Sequence, residues 1–67
     1  MSTVYDKIEV VGTSTQSLSD AVRNAVAGVE GVSEGYSWFE VVEQRGAVKE
    51  GKVAEFQVTV KVGRRKA

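Results

Sequence analysis

Cysteine and histidine are both absent from this 67-residue sequence. Without cysteine there are no disulfide staples and no thiolate metal sites, and the redox compartment leaves no trace in the composition. Without histidine the commonest general base and the commonest metal ligand are missing, which removes the usual hydrolytic triads and zinc centres. An excess of charge is lacking too: nine basic residues balance nine acidic ones, whereas a nucleic-acid footprint is normally a basic face. No apolar run approaches the ~20 residues that a membrane-spanning helix requires. Met1-Ser2-Thr3 leads straight into a strand pattern, so no signal peptide is expected and the expected location is cytoplasmic. The length allows one domain, residues 1–67. A chain this short, with neither disulfides nor a structural metal, needs another source of stability, and self-association is the device that remains.

What is present centres on Tyr36-Ser37-Trp38-Phe39-Glu40-Val41-Val42-Glu43-Gln44-Arg45-Gly46. These residue types favour a β-strand. Alternation puts Phe39 and Val41 on one apolar face, and Trp38, Glu40, Val42 and Gln44 on a mostly polar one. The single Trp therefore points away from the core face, although an aromatic of that size gains roughly 1.5–3 kcal/mol from burial. It needs a partner, either another subunit or a flat ligand.

Around this stretch the chain reads as β-α-β-β. Val4 to Val11 alternates as a first strand, with Val4, Ile8 and Val10 on one face and Tyr5, Lys7 and Glu9 on the other. Gly12-Thr13-Ser14-Thr15 is turn chemistry that ends it and offers hydroxyls for a helix N-cap, with Ser14, Thr15 and Ser17 as candidates. From about Ser17 to Gly31 the period becomes helical: Leu18, Ala21, Val22, Ala25, Val26 and Val29 form one stripe, and Gly31 or Gly35 provides the stop. After the Trp38 strand, Ala47 to Gly51 makes a hairpin connection with Glu50-Gly51 at its turn. Lys52 to Val62 then alternates as a third strand, with Ala54, Phe56, Val58, Val60 and Val62 inward and Glu55, Gln57, Thr59 and Lys61 outward. Residues 63–67 read as a basic tail.

A helical crossover leaves the first two strands running the same way, and the hairpin reverses the third. The third strand, free of Gly and Pro, suits the central position. The expected fold is α+β: a three-stranded antiparallel sheet of order 1-3-2, with one helix packed on one face. The other face, carrying Trp38, Gln57 and, by hairpin parity, Gln44, has no cover within the chain. An aromatic platform beside amides suits a planar heteroaromatic ligand, but on these residues alone a subunit contact anchored by Trp is the favoured reading.

Ser37-Trp38-Phe39-Glu40-Val41, Arg45-Gly46, Phe56-Gln57-Val58 and Val62-Gly63, with Val11-Gly12-Thr13-Ser14 after the first strand, together resemble the dodecin family of flavin-binding proteins. The resemblance spans nearly the whole chain. It implies a hollow assembly of twelve identical subunits that stores and quenches flavin without catalysis, its flavins paired between Trp side chains of neighbouring subunits. Trp38 matches the family's stacking Trp, and Gln57 the Gln that hydrogen-bonds the isoalloxazine edge. Arg45 and Arg65 match arginines of bacterial members, which bind flavin mononucleotide, so this cofactor is expected ahead of riboflavin or FAD. The alternative is a structural cage that uses Trp38 for subunit contacts and holds ions or another ligand. The chain departs from the family pattern twice: Ser37 replaces a common Asp, and Arg64-Arg65-Lys66-Ala67 replaces the usual Phe-Arg-Leu-Glu ending.

Overall fold

The computed structural model describes residues 2–66; Met1 and Ala67, on which parts of the leader and tail readings fall, lie outside the described residues. The elements follow the expected order: β1 (Tyr5–Ser14), α1 (Leu18–Ala27), β2 (Tyr36–Lys49) and β3 (Lys52–Arg65). They form one sheet of order β1-β3-β2 with both pairings antiparallel. Among the described residues no helix is long and apolar enough to cross a membrane.

The strands are longer than the turn residues imply. β1 runs through Gly12, Thr13 and Ser14, paired with Val58, Gln57 and Phe56. Gly12 belongs in the strand because the helix lies directly against it: a Cβ there would meet the Ala21 carbonyl oxygen, and the Ala25 Cβ and backbone nitrogen at 2.6 Å. Ser14, buried at the strand's end, organises the helix start. Its hydroxyl donates to Asp20 Oδ2 (2.7 Å) and accepts from the backbone N–H groups of Gln16 and Ser17. Ser17 is the N-cap, its Oγ accepting from the Asp20 N–H at 3.0 Å. The Asp20 side chain turns to Ser14 rather than back to the Ser17 backbone, so this is a cap shared between strand and helix, not a capping box. The helix stops at Gly28, ahead of Gly31 and Gly35; the Gly28 N–H bonds to the Asn24 carbonyl at 3.0 Å.

At the hairpin, Glu50 and Gly51 both take positive φ (52° and 77°) between paired Lys49 and Lys52. This is the type I′ geometry whose twist matches the flanking strands. β3 continues past Gly63 through Arg65, so most of the expected basic tail is central strand, paired with Tyr5 and Asp6 on one side and Tyr36 on the other.

The core is small and made of small residues: Ala21, Ala25, Val29, Val58, Val60 and Val62. Short side chains on the helix let it sit close to β1 and β3, the strands it packs against. It does not extend over β2. Phe39 and Val41 on the helix side of that strand are therefore 50% and 44% exposed, facing Val22 and Val26 across an open groove of about 520 Å³. Beyond the N-terminal end of the helix, at Leu18, the β2–β3 hairpin projects as an arm with Val48 and Val53 bare at its end. The molecule measures 55 × 19 × 13 Å with a radius of gyration of 14.0 Å, against ~11 Å for a compact chain of this length.

Candidate functional site

The face of the sheet opposite the helix carries Trp38, Gln57, Arg45 and Arg65, and two β-bulges in β2 decide which residues of that strand reach it. Strict alternation would put Tyr36 and Trp38 on one side. The register shift between them, at Ser37, instead turns Tyr36 toward the core, where it packs, and leaves Trp38 on the outer face. A second shift at Val42 reverses the parity again. Glu43 then lies across from Thr59 and Arg45 across from Gln57, while Gln44 lies across from Val58 on the helix side. The expectation that Gln44 shares the Gln57 face is thus corrected, and Arg45 takes its place. The sequence contained a signal for this: simple alternation after Val41 would have put the charges of Glu43 and Arg45 among core residues.

Along the outer face the residues fall into rows across the three strands. Tyr5 and Arg65 stand at one end, followed by Lys7, Gly63 and Trp38, then Glu9, Lys61 and Glu40. Val11, Thr59 and Glu43 come next, and Thr13, Gln57 and Arg45 lie at the other end. Trp38 and Gln57 are therefore three rows apart. Gly63 and Gln57 are separated by six residues of β3, roughly 20 Å of strand. Trp38 with Arg65 makes one cluster; Gln57 with Arg45 makes another.

Trp38 is half-buried although nothing covers the face. Its benzo ring lies over Gly63, where any Cβ would run into ring atoms Cε2 and Cζ2. Tyr5 meets it edge to face, centroids 5.3 Å apart and planes at 81°. At the other end, Gln57 Nε2 donates to Glu55 Oε1 at 2.9 Å, which uses one of the amide's two N–H groups and keeps its oxygen as an acceptor. On the helix side, the Arg64 guanidinium lies 5.0 Å over the Tyr36 ring, so Arg64 is held to the sheet's end.

Between the clusters, Lys7 Nζ reaches Glu40 Oε1 at 2.5 Å. This hydrogen bond holds the Glu40 carboxyl below its ordinary value; desolvation pushes the other way, and the charges of Lys7 and Lys61 add to the lowering. A carboxylate with a lowered folded-state pKa contributes stability that is present above the unfolded value and lost as pH falls through the folded one. Both partners are exposed, so the effect on stability is small. Titration of the Glu40 side-chain carbon by NMR is expected to show a midpoint below that of a free Glu, moving back up in Lys7→Ala; an unshifted midpoint in the parent protein would contradict the pair. Among the described residues no group of three or more acidic side chains converges on a point that a metal ion could occupy.

This architecture agrees with known proteins. The family model described as Dodecin matches residues 4–65. The dodecin of Thermus thermophilus is 43% identical over 63 residues, covering 94% of this chain and 91% of that protein. The structure of dodecin from Streptomyces coelicolor superposes with a TM-score of 0.85 at 42% identity, covering 97% of this chain and 93% of that one. A calcium dodecin from Mycobacterium tuberculosis, described as calcium-chelating, gives a TM-score of 0.77 at 28% identity over 96% of this chain and 91% of that one. With the β-α-β-β order, the 1-3-2 sheet and a match across nearly its whole length, the chain belongs to the dodecin family.

Proposed function

We propose that this protein binds flavin without catalysis, as a store and buffer, in a closed homo-oligomer of twelve subunits with the flavin ring stacked on Trp38. The observation that carries the reading is the uncovered outer face, which bears the lone Trp, an amide and two arginines but no histidine or cysteine. The spacing on that face adds a condition. A three-ring heteroaromatic stacked on Trp38 cannot also reach Gln57 of the same chain across roughly 20 Å of strand. One site therefore combines Trp38 and Arg65 of one copy with Gln57 and Arg45 of another, and binding requires assembly. The bare Phe39, Val41, Val48 and Val53 on the helix side supply apolar surface for that assembly.

Each half of such a site brings one arginine. A guanidinium–phosphate pair is bidentate and charge-assisted, contributing roughly 1.5–3 kcal/mol, or about one to two decades in affinity. Flavin mononucleotide is accordingly the preferred ligand over riboflavin. The test is titration of the protein with both flavins, followed by quenching of Trp38 fluorescence, at low and high salt. Quenching by both is expected, with flavin mononucleotide tighter at low salt and the difference shrinking at high salt as the exposed ion pairs are screened. No quenching at micromolar flavin sinks the storage reading. Equal affinities at low salt remove the phosphate role from Arg45 and Arg65.

A further inference from the structure

We propose that Tyr5 is the positioning residue of the Trp38 platform, fixing the plane that the indole presents to a planar ligand. The fold itself gives Tyr5 little to do. It is the first residue of β1, it is 55% exposed, and it lies on the outer face away from the core cluster. Its aromatic partner is Trp38, on the far strand, reached diagonally across β3. The other tyrosine, Tyr36, is occupied by the core and by Arg64.

A Trp side chain on an open sheet has a broad, roughly two-fold χ2 preference, so a ring meant to stack in one orientation has to be held by neighbours. Gly63 provides the floor, being the position where the benzo ring rests on backbone. That contact alone leaves the ring free to rock about its own long edge. The near-perpendicular Tyr5 ring closes the remaining freedom, in the edge-to-face geometry that aromatic quadrupoles favour. A platform so held loses less orientational freedom when a ligand stacks on it. The phenol oxygen plays no part; the ring suffices.

The inference rests on the flavin reading only for its binding arm. Trp38 is the sole Trp, so the time-resolved fluorescence anisotropy of the ligand-free protein reports its motion directly. Tyr5→Leu is expected to add a fast depolarising component, whereas Tyr5→Phe keeps the parent decay. Affinity for flavin mononucleotide is expected to fall about twofold to tenfold in Tyr5→Leu, the worth of an edge-to-face pair, and to stay at the parent value in Tyr5→Phe. A Tyr5→Leu protein with the parent anisotropy decay overturns the inference, as does one that falls apart on size-exclusion chromatography, which would make Tyr5 an assembly residue. If the parent protein fails to bind flavin mononucleotide, the storage reading fails and the anisotropy comparison still decides the role of Tyr5.

Discussion

Trp38→Ala is expected to abolish flavin binding at micromolar ligand while leaving the oligomer intact. The contacts of Trp38 with Tyr5 and Gly63 lie on the outer face, away from the Val58, Val60 and Val62 side chains that pack under the helix. Removing the ring therefore leaves the core and both helix-side apolar patches unchanged. What it removes is the stack, worth about 1–3 kcal/mol per aromatic ring, together with the apolar area that the ring and ligand bury against each other. The expected loss is about two decades in affinity or more. Because the variant has no Trp, binding has to be followed from the flavin's own fluorescence or by equilibrium dialysis. Size-exclusion chromatography of the same sample separates two readings. An intact oligomer that has lost flavin supports storage; subunits that separate support a cage in which Trp38 is an interface anchor.

Gly12→Ala is expected to be the most destabilising single-methyl change in the chain. The added Cβ would press on the helix backbone, at the Ala21 carbonyl and the Ala25 nitrogen, and on the Ala25 Cβ. Backbone of a helix cannot rotate away as a side-chain end can, so the whole helix has to lift from β1. Overpacking of this kind costs typically about 1–3 kcal/mol, and rigid neighbours place this position at the upper end or beyond. Lifting α1 also strains the hydrogen bond from Asn24 Nδ2 to the Thr13 carbonyl (2.9 Å) and the Ser14–Asp20 bond. In a chain of this size each kcal/mol is worth roughly 4–8 °C, so the melting temperature should fall by more than about 10 °C. Thermal circular dichroism at matched protein concentration measures it, since the melting of an oligomer depends on concentration. A melting temperature within about 2 °C of the parent would show that helix and strand do not approach as closely as described.

Period-2 and period-3.6 patterns carried most of the fold: the element order, the 1-3-2 sheet, the Glu50-Gly51 turn and the outward position of Trp38. Three features escaped them, each for a physical reason. Gly12 and Ser14 look like turn residues, yet one is small so that a helix can lie on it and the other anchors that helix's cap. The bulges at Ser37 and Val42 carry neither Gly nor Pro to announce them, and each reverses every assignment beyond it. That is how Gln44 and Arg45 exchanged faces. The coverage of the helix depends on where it docks laterally, which the apolar stripe of α1 does not encode. Phe39 and Val41 therefore read as core but stand open in the single chain. Of the candidate site, residue types were legible, but the division into a Trp38–Arg65 end and a Gln57–Arg45 end was not. That division depends on register.

The order β1-β3-β2 also has a consequence in time. β3 is the centre of the sheet and the last of the three strands in the chain. During synthesis β1 and the helix emerge first, with no strand for β1 to pair with until residues 52–65 have followed. Domains fold as units once their partners are available, at elongation rates of about 5–20 residues per second. The apolar stripe of α1 thus waits, uncovered, for the strand bearing Val58, Val60 and Val62. The late step that rescues it is local, a two-residue hairpin that zips β2 onto β3 in microseconds and delivers the finished edge to β1. A chain truncated before Lys52 is therefore expected to leave the first strand and the apolar stripe of the helix without partners, and arrival of the last strand is the event that commits the subunit.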